Sequence, residues 1–263
     1  MRLILRLSAE RINLQKHGKN DKGNIVFIHG LGEHTGRYHA VIQSLVESGY
    51  RVSTFDLPGH GKSPGRRGHF SFKQIFHLLD EMIVPGERSF LMGHSLGGLI
   101  AARYAQCRSS TLRGLVLSSP AVCIGNANMV LEMVAHLLGI ALPFVVFKNG
   151  INPDDLSRNK SAVENYINDP LVHNKISAKL ASDMFWHSRK VLKEASKINC
   201  PTLLLVGSED RITPTEGSHR FFKHVSSSDK EFKVYQGAYH EIFEDPQHSS
   251  ALLSDMITWL EKH

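Results

Sequence analysis

The chain has 263 residues, 41% hydrophobic and 21% charged, with 31 Lys and Arg against 25 Asp and Glu for a net charge of +6. That profile belongs to an ordinary globular chain, long enough for one large domain carrying an insertion. The basic excess is small and scattered, with Arg66-Arg67 a tight local pair, so nucleic-acid binding is not expected, while weak attraction to an anionic membrane surface stays open.

Cys107, Cys123 and Cys200 are odd in number and widely spaced, without metal-ligand spacing or a disulfide pattern. Buried, reduced thiols are expected. Near the start, Arg6 breaks Leu3-Ile4-Leu5 and no small-residue cleavage site follows, so no signal peptide is indicated and the cytoplasm is the default location.

Residues 2–7 and 11–15 read as two short strands around Ser8-Ala9-Glu10, Ile12 and Leu14 alternating with polar neighbours. The apolar run at 24–28 has strand length and the composition of a sheet covered on both faces; it ends in His29-Gly30-Leu31-Gly32. A helix over 38–48 closes at Gly49, and a strand at 51–55 ends on Asp56 and the turn Pro58-Gly59-His60-Gly61. Phe72, Ile75, Phe76, Leu79 and Ile83 fall on one face of an amphipathic helix over 72–83.

Residues 88–92 read as a buried strand and 98–105 as a helix rich in small residues and good formers, with a further strand at 114–117. After an interruption, a strand at 201–206, a helix at 215–224, a strand at 231–235 and a closing helix at 248–261 complete the chain. Strands alternating with helices of this length predict an α/β chain with a doubly wound, mainly parallel sheet. Ligands in such sheets sit beyond the carboxyl ends of the strands, where Gly30, Asp56, Ser95, Asp210 and His240 all fall.

Between strand and helix stands Gly93-His94-Ser95-Leu96-Gly97, of the form G-x-S-x-G. In that context the serine occupies a sharp strand-to-helix turn with its hydroxyl thrust out over the sheet. A serine hydroxyl needs a base within hydrogen-bond reach, and the base needs a carboxylate to fix its tautomer. Of sixteen histidines, His240 follows the last strand in a loop able to reach the sheet's upper edge. Asp210 stands just past the strand at 201–206, giving the order Ser95, Asp210, His240. Glu209 is the competitor for the acid, while His94 is turned away by the elbow. The oxyanion donors would be the N–H groups of Leu96 and Leu31, with Gly30 and Gly32 letting backbone approach substrate. Asp56 reads as a structural residue tying down a tight loop.

These motifs resemble the monoacylglycerol lipase and lysophospholipase branch of the α/β-hydrolases. The likeness is carried by residues 29–38 (His-Gly-Leu-Gly-Glu-His-Thr-Gly-Arg-Tyr), 56–63 (Asp-Leu-Pro-Gly-His-Gly-Lys-Ser) and 93–98. It extends to Gly207-Ser208-Glu209-Asp210, Gly237-Ala238-Tyr239-His240-Glu241, residues 156–160 and Asp169-Pro170-Leu171, and so covers nearly the whole chain. The N-terminal strands are short, however, and the stretch between Phe70 and Arg88 is trimmed. The resemblance implies an α/β-hydrolase fold and a serine hydrolase acting on a single-chain lipid ester, monoacylglycerol or lysophospholipid, without cofactor or metal. Rival readings are a short-chain esterase, thioesterase or peptidase of the same fold, and a non-catalytic ligand-binding module.

The interruption, residues 121–195, is a candidate lid inserted into a core of 1–120 and 196–263. Its stretch 128–147 is the most apolar of the chain, with Asn128, Glu132 and His136 recurring every four residues as a narrow polar stripe on a helix. Two placements are open: the helix packs wholly against the core, or Met129, Met133, Leu137 and Phe144 line an acyl-chain channel and rest on a membrane surface. A transmembrane span is disfavoured by Glu132, His136, Gly139 and Pro143. Arg158 and Lys160 either face a substrate headgroup or cap helices.

Overall fold

A computed structural model describes residues 12–83, 86–87, 89–125 and 128–263. The chain begins with β1 (Leu14–His17), β2 (Asn24–Ile28), α1 (His39–Glu47), β3 (Arg51–Phe55) and α2 (Phe72–Met82), followed by β4 (Ser89–His94), α3 (Leu96–Arg108) and β5 (Leu112–Ser118). Next come α4 (Met129–Ala141), β6 (Val146–Lys148), α5 (Lys160–Asn168), β7 (Lys175–Ser177) and α6 (Ala178–Lys193). The chain closes with β8 (Thr202–Gly207), α7 (Thr215–His224), β9 (Lys230–Tyr235) and α8 (Ser249–Lys262).

Seven strands form one sheet in the order β1-β3-β2-β4-β5-β8-β9. Its pairings are parallel from β3 to β9, and β1 alone among the described strands of this sheet runs antiparallel, with Leu14 opposite Phe55 and His17 opposite Val52. The strand expected at 11–15 therefore sits later, at 14–17; the one expected at 2–7 lies outside the described residues. β3 and β4 flank β2 on opposite sides, so the winding reverses at β2, and crevices in doubly wound sheets open at such a point. The loops after β2 and β4 carry Leu31 and Ser95.

Both faces of the sheet are covered, which is why β2, β4 and β8 read as unbroken apolar runs. Along β2 alternate side chains serve different cores. Val26 and Ile28 join Phe72, Ile75 and Leu79 of α2 and Leu99 and Ala102 of α3. Ile25 and Phe27 join Val41, Ile42 and Leu45 of α1 and Met256 and Trp259 of α8. A capping box starts α2, where Ser71 and Gln74 hydrogen-bond reciprocally.

Helix α3 begins at Leu96, two residues before the expected start at 98. A Cβ at Gly97 would collide with the carbonyl oxygens of Ile28 and His29, and one at Gly98 with Pro120, so these glycines let the helix press onto the sheet. Of the three cysteines only Cys200 is buried; Cys107 is exposed and Cys123 half-buried, which corrects the expectation of three buried thiols.

The segment between β5 and β8 is joined to the core unevenly. Helix α6 is anchored through Leu180, Met184 and Val191 in the same cluster as α3. Helix α4 ends at Ala141, and β6 pairs antiparallel with β7 as a separate ribbon, so residues 128–147 are a helix followed by a strand. No helix among the described residues is long and apolar enough to cross a membrane.

Candidate active site

Ser95 stands between β4 and α3 with φ +53°, one of two non-glycine residues with positive φ among those described. A β-carbon-bearing residue in that region is strained. Here the strain is held by three backbone bonds: Ser95 N donates to Ser118 O, while Leu99 N and Ala121 N donate to Ser95 O. A Cβ on Gly30 would lie 3.2 Å from Ser95 Cβ, which sets the loop after β2 directly against the serine.

His240 and Asp210 meet. His240 Nδ1–H donates to Asp210 Oδ2 at 2.8 Å, and both side chains are buried. The other carboxylate oxygen accepts from Ile212 N and Thr213 N at 2.9 Å each, and Thr213 Oγ1 lies 2.8 Å from Oδ2. Burial alone would raise the Asp210 pKa; the His240 charge and hydrogen bond, with the Thr213 bonds, outweigh it and hold the carboxyl below its usual value. Burial likewise opposes protonation of His240, but Asp210 beside it raises that pKa above the ordinary 6.5.

The loop after β9 is fixed from behind, where Ser119 Oγ donates to His240 O at 2.8 Å. Ser119 has φ +42° and is the second strained residue. Glu209 is exposed, and its described bond is a backbone one to Ala238 O, so it does not compete with Asp210 for the ring.

With Nδ1 committed to Asp210, Nε2 is the imidazole nitrogen left for a proton. The His240 ring centroid is 4.8 Å from that of His94, the residue before the serine. No hydrogen bond joins Ser95 Oγ to His240 among the described residues. His94 turns its Nδ1 to Ser118 Oγ at 3.2 Å, and burial with the neighbouring His240 charge pushes its pKa down to about 3. It stays neutral, with its Nδ1 engaged by Ser118.

The amides of Leu31 and Leu96 donate to no protein acceptor among the described residues. Leu96 N opens α3, where the first amides of a helix lack intrahelical partners. Around Leu31 the loop is tied tightly. Gly30 N and Tyr38 OH both donate to Glu33 Oε1 at 2.5 Å, and Arg37 donates to Glu33 Oε2 at 2.6 Å. Arg37 then forks onto Glu241, beside His240, at 2.6 and 2.8 Å. A buried Glu33–Arg37–Glu241 chain therefore links the loop carrying Leu31 to the loop carrying His240. Burial would raise the Glu33 pKa, but Arg37 and the histidines around it hold it well below the carboxylate range.

Asp56 is structural, as its position suggests: it accepts from Thr35 N, Thr35 Oγ1, Asn13 Nδ2 and Lys62 N at 2.8–2.9 Å. The segment between β5 and β8 is pinned around the site as well. His173 N donates to Gly32 O at 2.7 Å, His34 pairs with Asp169 at 2.8 Å, and Glu241 N donates to Leu156 O at 2.7 Å. Arg158 forks onto Asp245 at 2.8 Å, which commits it to holding this segment on the core, and Lys160 begins α5. Among the described residues no three His, Cys, Asp or Glu side chains converge as metal ligands would.

Helix α4 is turned the other way from a core helix. Its polar stripe faces α6: Glu132 forms an ion pair with Arg189, and His136 approaches Ser182 Oγ. Gly139 lets the backbones close, since a Cβ there would meet Ser182 Cβ at 2.6 Å. The apolar circumference faces out, with Met129 79%, Met133 56% and Leu137 58% exposed, and Phe144 beyond the helix 59%. Packing of this helix wholly against the core is thus corrected, and these four side chains are directed outward in this structure.

Residues 19–247 match the family described as serine aminopeptidase, S33. A monoacylglycerol lipase of Mycolicibacterium smegmatis is 34% identical over 251 residues, spanning 92% of this chain and 89% of that protein. The chain belongs to the α/β-hydrolases, in their monoacylglycerol lipase-like branch. The crystal structure of Paleococcus ferrophilus monoacylglycerol lipase superposes with a TM-score of 0.93 at 44% identity, covering 95% of this chain and 98% of that one. A Bacillus subtilis protein named phospholipase YtpA is 32% identical over 240 residues, 85% of this chain and 89% of its own. Against the rest of this α/β-hydrolase, the motif reading missed Thr213, Ser119 and the Glu33–Arg37–Glu241 chain. The last had a visible signal: three charged residues within otherwise apolar or glycine-rich motifs, two of them four apart.

Proposed function

We propose that this α/β-hydrolase cleaves the ester of a single-chain lipid, monoacylglycerol or lysophospholipid, through an acyl-enzyme. Ser95 Oγ attacks the ester carbonyl while His240 Nε2 takes its proton, and the same nitrogen returns that proton to the leaving alcohol. Asp210 orients the imidazole and stabilises its charged form. The N–H groups of Leu31 and Leu96 hold the oxyanion, each on the order of 3 kcal/mol of transition-state stabilisation. Water activated by His240 then releases the fatty acid.

The observation that carries this reading is Ser95 at φ +53° on the elbow, set against a loop glycine, with the Asp210–His240 pair on the neighbouring turns. Lipid-ester names among the relatives favour a lipase over a peptidase, despite the family description. Residues 121–195 serve as a lid, and the outward apolar face of α4 with Phe144 supports peripheral contact with a membrane surface, the acyl chain being drawn from there.

The test has two parts. A fluorophosphonate probe is expected to label Ser95, and p-nitrophenyl esters are expected to be cleaved faster as the acyl chain lengthens; activity confined to acetate and butyrate would overturn the lipid reading. Rates on monoacylglycerol, lysophosphatidylcholine and an acyl thioester then decide the headgroup.

A further inference from the structure

In the β6–β7 ribbon, Lys148 stands directly opposite Lys175. Like charges at directly opposed positions destabilise a strand pair, and a lone two-stranded ribbon is marginal already. Arg66 and Arg67 share the same open groove of about 500 Å³, with Val146 and Phe147. None of these four cations has a carboxylate within ion-pair distance among the described residues. Of the acidic side chains nearest in sequence, Asp155 is engaged by Arg211 and Asp169 by His34, and exposed Asp154 forms no ion pair with any of the four.

The cluster is held in place. Ser177 N donates to Gly68 O at 2.9 Å, which seats the ribbon on the loop carrying Arg66 and Arg67, and the Arg66 guanidinium donates to Phe144 O at 3.0 Å. Cations gathered in one groove without counter-charge, the arginines tied to the Phe144 and Gly61 carbonyls, are the residue pattern of a site for external anions. Phe144 and Phe147 stand exposed beside them, and through Leu142 this apolar surface continues into the outward face of α4. A free anion would use the charges but leave the aromatic and aliphatic side chains bare; a lipid surface uses both.

We propose that Arg66, Arg67, Lys148 and Lys175 seat the phosphate groups of an anionic phospholipid bilayer and so orient the apolar face of α4 toward it. The inference rests on the membrane contact proposed above and names its lipid.

The test is sedimentation of the full chain with vesicles of phosphatidylcholine alone or mixed with phosphatidylglycerol. Binding is expected to be tighter to the mixed vesicles and to weaken with salt. Lys148→Gln with Lys175→Gln removes two cations at about fivefold each, so affinity for mixed vesicles falls roughly 25-fold. Binding to pure phosphatidylcholine and turnover of p-nitrophenyl butyrate stay unchanged. Met133→Ser with Leu137→Ser, by contrast, weakens binding to both vesicle types. Equal wild-type binding to the two vesicles, or an unchanged phosphatidylglycerol preference in the double lysine variant, overturns the seat while leaving the apolar contact standing. Absence of binding to either vesicle, with hydrolysis intact, overturns both. Release from mixed vesicles by inorganic phosphate, and not by chloride of equal ionic strength, marks a free-anion site and overturns the bilayer.

Discussion

Replacing Glu33 by Gln tests whether the buried charge chain behind the active site holds the loop of Leu31 in shape. The carboxylate accepts three short hydrogen bonds, from Gly30 N, Tyr38 OH and Arg37. Gln keeps one acceptor oxygen, and its amide N–H groups must then face either the Arg37 donor or the Gly30 and Tyr38 donors. At least one charge-assisted bond is lost, about 1.5–3 kcal/mol, and a buried donor is left facing another. Arg37 keeps its fork onto Glu241, so the loss stays below the 3–5 kcal/mol typical of a wholly broken buried pair.

The expected cost of this change is about 2 kcal/mol, which at this chain length lowers the melting temperature by roughly 4–8 °C. Because Gly30 N fixes the peptide just before Leu31, kcat should fall as well, by less than the roughly 10²–10³ for outright loss of an oxyanion donor. The pH dependence has a definite sign. Glu33 is held charged well below its ordinary 4.5, so its contribution is complete above that value and is lost as pH falls through the lowered folded-state pKa. The gap in melting temperature between wild type and Glu33→Gln should therefore be full at neutral pH and narrow on acidification. Melting curves that coincide at neutral pH, together with an unchanged kcat, would refute the argument.

Ser95→Ala should abolish ester turnover and fluorophosphonate labelling with little loss of melting temperature, since it also removes a hydroxyl from a strained turn; residual turnover near wild type would sink the nucleophile. Asp210→Asn is expected to lower kcat roughly 10⁴-fold, whereas Glu209→Gln, at an exposed position, should leave it unchanged; the reverse pattern exchanges their roles. If His240 acts as the neutral base proposed above, its pKa being raised by Asp210, kcat/KM should fall on acidification through a pKa above 6.5. In Asp210→Asn the two largest raising causes go, leaving burial against the smaller pull of Glu241 and Glu33, so the acid limb of the residual activity should move to lower pH. Gly32→Ala places a Cβ against His173 O at φ +80°, and should cost about 1–3 kcal/mol, read by thermal melting, with a lowered kcat.

What could be read in the sequence follows from what each signal depends on. The apolar runs of β2, β4 and β8 are dictated by burial on both faces, so strand identity and the parallel class were plain from composition alone. The glycines around Ser95 mark close backbone approach, and the chain order of serine, aspartate and histidine needs only topology. The opening of α3 falls two residues before the expected start at 98, because close packing of Gly97 on Ile28 and of Gly98 on Pro120, which no local pattern reports, lets the helix begin directly after Ser95. The Glu33–Arg37 half of the buried charge chain is a local pair four residues apart, but its closure onto Glu241 spans 204 positions, which no local pattern reports. The same holds for Ser119, whose bond to His240 O spans 121 positions.

Helix α4 shows where periodicity stops short. Its pattern announces one narrow polar stripe and a broad apolar arc but is silent on which side meets protein. The usual inference buries the arc. Here Gly139 and Ala135 are the buried positions of α4, and Glu132 and His136 meet Arg189 and Ser182, so small and polar groups make the contact with α6. The hydrophobic effect opposes leaving so many methionine, leucine and isoleucine side chains in water when a core lies on the other side. An arrangement that spends its polar residues inward gains only if the arc finds another apolar phase. The unpaired cations at Arg66, Arg67, Lys148 and Lys175 border that arc, and a bilayer with anionic headgroups answers both features at once. On the proposed reading the ester to be cleaved would reside in the same phase, so docking and substrate capture would become one event, at a face tied through His173 and Gly32 to the loop carrying Leu31.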